Sequence, residues 1–169
     1  MRILFVAMAN SIHTARWVSQ LNGQGWDIHL FPSMDVGIAH PDLKNISVYY
    51  TFYGRHKNCN RSISLHGISV ISDNMALFVR EELKGMGPNT RRFQLERTIR
   101  RLRPDLIDTM EIQAAGYLML NIKKRFSGKL PPWIVTPWGS AIYLAVRLCS
   151  YCRDVLTPPL SDCEGFVTA

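Results

Sequence analysis

No apolar run in this chain approaches the roughly twenty residues needed to cross a bilayer, so nothing in it reads as a membrane span. Arg2 leads a short strand-like run that soon meets Asn10 and Ser11, and this does not make a secretory signal. The expected location is therefore cytoplasmic. A glycine-rich phosphate loop is also missing. After Val6 the chain reads Ala7-Met8-Ala9-Asn10-Ser11, and no Gly-rich Lys-Ser/Thr segment occurs anywhere, which argues against a cofactor at the first turn. Cysteine is sparse. Cys59, Cys149, Cys152 and Cys163 do not form two matched pairs, so reduced thiols are the simpler reading. A zinc site would want a second pair at matching spacing, and a redox site an early strand before it. Cys149 and Cys152 thus read as helix residues, and no metal is expected. Internal repeats and low-complexity linkers are lacking too.

What is present describes one ordinary domain. The 169 residues are 47% hydrophobic and 20% charged, enough for one core and short for two. Basic residues outnumber acidic ones, 20 to 13, for a formal net charge of +7. The excess is concentrated: Arg91, Arg92, Arg97, Arg100, Arg101 and Arg103 are opposed in their segment only by Glu96. Such a cluster favours anionic partners, whether a phospholipid surface, a sugar phosphate or nucleic acid.

Periodicity predicts strands alternating with helices. Residues 2–8 and 28–31 are short apolar runs. Between them Ala15, Val18 and Leu21 recur at helical spacing until Gly23 and Gly25, and Asn10 or Ser11 is suited to cap that helix. Strands are also expected at 47–51, 106–110, 133–136 and 165–167, a long loop at 53–61, and helices at 75–84 and 93–103. Leu95, Ile99 and Leu102 stripe the last of these before Pro104, and Ala115, Leu118, Ile122 and Phe126 share a further helical face that ends at Gly128. The expected fold is a three-layer α/β/α sandwich, Rossmann-like, with a mainly parallel sheet. The pattern stops at Ala169 with no helix to cover the last strand, as expected of a domain taken from something longer.

Five segments in order carry a resemblance. They are Asn10-Ser11-Ile12-His13-Thr14-Ala15-Arg16-Trp17, Gly25-Trp26-Asp27-Ile28-His29-Leu30-Phe31, Arg103-Pro104-Asp105-Leu106-Ile107-Asp108, Gly116-Tyr117-Leu118, and Trp133-Ile134-Val135-Thr136-Pro137-Trp138-Gly139-Ser140. Together they resemble the amino-terminal domain of family-four, retaining glycosyltransferases of the two-Rossmann-domain (GT-B) fold. The resemblance implies that this chain, over residues 1–169, is the acceptor-side domain of such an enzyme. It implies a sugar or lipid-linked acceptor here, a nucleotide-sugar donor on a carboxy-terminal domain that this chain lacks, and no transfer by this polypeptide alone. Two departures bear on chemistry. Ala141 stands where the family's Trp-Gly-Ser motif is typically followed by Asp, and Asp108 and Met110 stand where His is often found.

Candidate site residues follow the loops after the strands. Asn10 and Ser11 either cap the first helix alone or also touch ligand. His13 and Arg16 share a face near the helix start, where an acceptor phosphate or hydroxyl could bind, or they form a surface pair. Glu111 and Gln113 could fix sugar hydroxyls, with Glu111 as a plain helix starter the alternative. Gly139 and Ser140 suit a tight loop that brings backbone N–H groups to a ligand, or a structural turn. Trp138 reads as core. Tyr49, Tyr50, Phe52 and Tyr53, followed by Arg55, His56, Lys57 and Arg61, interleave aromatics with cations, although strand alternation explains half of them. Arg97, Arg100 and Arg101 form the candidate patch for an anionic inner membrane face. The competing function is a non-catalytic polyanion- or nucleic-acid-binding domain, whose binding would weaken steeply with salt. Nucleic acid is the less expected partner.

Overall fold

The computed structural model describes residues 1–54, 62–83, 88–136 and 165–166. The chain opens with β1 (Arg2–Ala7), α1 (Ile12–Ser19), β2 (Asp27–Pro32), β3 (Ile46–Gly54) and β4 (Ile63–Val70). It continues through α2 (Asp73–Leu83), α3 (Pro88–Leu102), β5 (Leu106–Thr109), a π-helical turn (Ile112–Gly116), α4 (Tyr117–Lys123), β6 (Trp133–Val135) and β7 (Gly165–Phe166). The strands pair in the order β4-β3-β2-β1-β5-β6-β7, and every pairing is parallel. This is the expected Rossmann-like α/β sandwich. No helix among the described residues is long and apolar enough to cross a membrane.

Parallel strands covered on both faces read as near-continuous apolar runs, and β1 and β2 bury every residue after the first. Alternate side chains then feed two cores. Leu4, Val6, Phe31, Ile107, Trp133 and Val135 meet Leu95 and Ile99 of α3 and Met119, Leu120 and Ile122 of α4. Ile3, Phe5, Ala7, Ile28, Leu30 and Val48 pack on Ala15 and Val18 of α1. Within the first core the Trp133 indole N–H donates to Thr109 Oγ1 at 3.1 Å, which satisfies its one polar atom.

At the amino edge Arg2 ties three elements together. Its Nε donates to Asp27 Oδ2 at 2.7 Å, its Nη1 to the Leu102 carbonyl at 2.6 Å, and its backbone N to Asp105 Oδ2 at 2.7 Å. The helix stop at Pro104 is also as expected: Arg103 takes the left-handed conformation, φ 48°, and its N–H bonds the Ile99 carbonyl.

Three elements differ from the sequence expectation. β4 is not predicted at all, because Ser64, His66, Gly67 and Ser69 dilute its apolar residues and the pairing with β3 shifts between Tyr49 and Phe52. β3 runs on to Gly54, so Tyr53, expected to open a loop, is strand. The helix expected across Ala115 to Phe126 is a π turn followed by a short α-helix that ends at Lys123. Residues 137–164 lie outside the described residues, as do 55–61.

Gly54 is where β3 meets the start of α2. Its N–H donates to Asp73 Oδ1 at 3.1 Å, and a Cβ there would fall well inside contact with the backbone of Ser72 and Asp73. Backbone cannot move aside cheaply. Gly54→Ala should lower unfolding free energy by about 1–3 kcal/mol, read as an earlier urea midpoint at unchanged slope; an unmoved midpoint would contradict this packing.

Candidate functional site

The chain runs outward from β1 through β2 and β3 to β4, then returns to place β5 on the other side of β1. The direction reverses between β1 and β5, and in open parallel sheets ligands bind outside the strands' carboxyl ends at such a point. The described loops after β1, β2 and β5 leave from this edge.

Asn10 and Ser11 follow β1. Ser11 is the N-cap of α1, with its Oγ accepting from His13 N at 3.2 Å. Asn10 is exposed and lies against Gly37, where a Cβ would come within 2.9 Å of Asn10 Nδ2 and where φ is +69°. The left-handed φ is what favours glycine there, since the exposed Asn10 side chain could move aside. The His40 N–H bonds the Ala9 carbonyl at 2.8 Å, so the loops after β1 and β2 are joined.

Glu111 follows β5 and accepts from Ser33 Oγ, which follows β2, so the bond spans the end of β1. Burial pushes the Glu111 carboxyl above its ordinary value, and the Ser33 bond opposes that shift. The Glu111 backbone carbonyl accepts from Gly116 N at 2.9 Å at the start of the π turn, and its side chain makes no capping bond there.

Asp35, two residues beyond Ser33, is held between two arginines. Arg80 Nη1 lies 3.4 Å from its Oδ1 and Arg91 Nη1 3.5 Å from its Oδ2, and the Thr51 N–H donates to it at 3.3 Å. Arg80 also donates to the Gly37 carbonyl at 3.2 Å and lies over the Tyr50 ring at 5.0 Å. Arg91 donates to the Pro32 carbonyl and to Gln94 Oε1, and lies over Phe31 at 4.1 Å. Burial lowers the Arg91 pKa to about 10.

Two cavities flank this triad. One of about 640 Å³ includes Asn10, His40, Tyr53, Ile63, Leu65 and Arg80 in its walls. The other, about 460 Å³, is lined by Ser33, Arg91, Arg92, Tyr117, Asn121 and Arg125 with Ala114 and Leu118. A third, about 250 Å³, lies between α3 and the sheet and takes in Arg97, Arg101, Tyr49 and His66, whose rings stack at 4.6 Å.

The structure thus brings Asn10, Ser11 and Glu111 to one edge. Gln113 is exposed on the π turn, and His13 and Arg16 are exposed on α1. Gly139 and Ser140, with Trp138, Ala141 and the cysteine pair, lie outside the described residues. Arg97 and Arg101 share the third cavity, whereas Arg100 turns away: it pairs with Glu96 at 2.8 Å, bonds Ser127 and lies over Phe126 at 4.3 Å.

Asp108 and Met110 are both buried. Asp108 accepts from Thr136 Oγ1 at 2.9 Å and is 4% exposed, so it sits inside the sheet edge and not on the crevice surface. Ser33, Asp35 and Arg80 escape the sequence reading. The signal was present, since the loop after β2 is subject to the same convergence argument that singles out Asn10. Among the described residues, no group of three His, Cys, Asp or Glu could hold a metal.

Residues 2–80, from β1 into α2, match the family described as glycosyl transferase 4-like. No curated protein matches the chain.

Burial raises the Asp108 pKa from 3.8 to about 7, opposed by the Thr136 bond. With a folded pKa above the unfolded one, its neutral form stabilises fully below pH 4, and that contribution is lost as pH rises toward 7. His66, held low by burial, drifts the opposite way, and Glu111 the same way, so the comparison must be with Asp108→Asn. Between pH 4 and 7.5 the parent should lose up to about 4 kcal/mol relative to that variant, measured by urea unfolding. A constant gap would show that Asp108 titrates normally.

Proposed function

We propose that this chain is the acceptor-holding domain of a family-four, retaining glycosyltransferase of the GT-B type. In this reading a sugar or lipid-linked acceptor lies along the carboxyl edge, and a partner domain carries the nucleotide-sugar donor. The polypeptide by itself transfers no sugar. The observation that carries the reading is positional: the match over residues 2–80 covers the loops that supply Asn10, Ser33 and Asp35 to the carboxyl edge of the sheet, and the part of α2 that supplies Arg80.

The chemistry suits an acceptor. Hydroxyls need directional partners of both kinds, and along the carboxyl edge the Asn10 amide offers a donor and an acceptor and the Glu111 carboxyl, bonded to Ser33, an acceptor. Glu111, destabilised as an anion by burial, can orient an acceptor hydroxyl. Neither Asp108 nor Met110 supplies a group there, because both are turned into the core. Those positions leave the step of bond formation to residues beyond this crevice. Arg97 and Arg101, exposed on α3, would meet an anionic inner membrane face, a few tenths to about 1 kcal/mol for each cation near the surface.

The test is binding of the chain to immobilised glycans and glycolipids at two salt concentrations. A glycan ligand should be retained with little change between about 50 and 200 mM salt, and Asn10→Ala or Glu111→Gln should weaken it by about tenfold. A polynucleotide ligand whose affinity collapses by about 10³-fold over that range would contradict the proposal and favour the binding-only alternative.

A further inference from the structure

The cavity on the α3 and α4 side of the edge has a charge imbalance that neutral sugar hydroxyls would not relieve. Arg91 and Arg92 reach it from α3, Arg125 from just beyond α4, and no carboxylate lines it among the described residues. Asp35 is one negative charge shared by two cations, Arg80 and Arg91. Arg92 and Arg125 make no ion pair among the described residues. The Nε atoms of Arg91 and Arg92 are buried with no hydrogen-bond partner among the described residues. These Nε atoms are closed off from solvent, so a ligand in the cavity would meet the outer guanidinium nitrogens of Arg92 and not its Nε.

The surrounding backbone adds to the imbalance. α3 has no acidic residue in its first turn, and Arg91 and Arg92 stand near its amino end, where the helix dipole is already positive. Burial keeps Arg91 costly to charge, a penalty that a bound anion would reduce. Ser33, Tyr117 and Asn121 bring hydroxyl and amide groups suited to the uncharged part of a ligand. The volume, about 460 Å³, falls in the range of small-molecule sites and exceeds what a lone phosphate needs.

We propose that this cavity holds the phosphate of a phosphorylated acceptor, a sugar phosphate or a phosphate-bearing lipid headgroup, with Arg92 and Arg125 as its principal cations. The assignment rests on the acceptor reading above and names the substrate class for it. Guanidinium groups suit a phosphate because their planar donors can meet two of its oxygens at once.

The experiment is calorimetric titration of the 169-residue chain with glucose 6-phosphate, glucose, inorganic phosphate and phosphatidic acid vesicles. One site for glucose 6-phosphate is expected, at least about tenfold tighter than glucose, and Arg92→Gln with Arg125→Gln should weaken it by at least about tenfold. Arg97→Gln with Arg101→Gln, outside the cavity, should leave it unchanged. Arg125→Gln alone serves if the double variant does not fold, since Arg125 is exposed. Vesicle binding lost in the same variant, with no binding of glucose 6-phosphate to the parent chain, assigns the phosphate to lipid. Equal binding of glucose and glucose 6-phosphate, or an equal loss of glucose 6-phosphate binding in the control variant, would overturn the proposal. Phosphate binding here with no glycan or glycolipid binding would leave the cavity assigned and remove the acceptor reading. Transfer to an unphosphorylated acceptor in the presence of a donor domain, with no phosphate bound, would do the reverse.

Discussion

A single carboxylate, Asp35, organises the edge at which Asn10, Ser33 and Glu111 lie. Its side chain is 13% exposed, between Arg80 at 5% and Arg91 at 17%. Removing one partner of a buried charge set leaves the others uncompensated, at about 3–5 kcal/mol, so this contact fixes geometry far more firmly than the surface pair of Arg2 and Asp27. Arg80 belongs to α2 and lies on Tyr50 of one core, whereas Arg91 belongs to α3 and lies on Phe31 of the other. The loop after β2 is therefore held from both faces of the sheet. Gly37, Asn10 and Ser33 inherit their positions from that hold.

The same arrangement divides the edge into two chemically different spaces. Toward α2 and β4 the cavity wall includes Ile63, Leu65 and Tyr53, an apolar lining with a few polar groups. Toward α4 it is rich in arginine. The Ser33–Glu111 bond spans the end of β1 between the loops of β2 and β5. A ligand with a hydroxylated middle and a charged end would find complementary groups in that order along the edge. This is the physical content of the acceptor proposal.

Much of the fold was legible in the sequence. Val, Ile, Leu and Phe runs mark β1, β2 and β5, and the Leu95, Ile99 and Leu102 stripe marks α3, because burial on both sheet faces and helical periodicity leave strong signals. β4 is a partly exposed edge strand interrupted at Gly67, so its alternation breaks and the signal fades. The site was half legible. Asn10, Ser11 and Glu111 follow strands that the pattern reveals. Arg91 and Arg92 read only as members of a surface cluster, since nothing local says that Asp35, more than fifty residues earlier, draws Arg91 inward. Long-range electrostatic partners have no periodicity to betray them.

The most direct measurement is an amide nitrogen–proton map of the chain during titration with glucose 6-phosphate. The account predicts shifts concentrated at the carboxyl edge, on Asn10, Ser33, Asp35, Glu111 and Arg92, with the amino-edge residues Arg2, Asp27 and Asp105 unmoved. Shifts centred on the amino edge, or confined to Arg97 and Arg101 on α3, would contradict it.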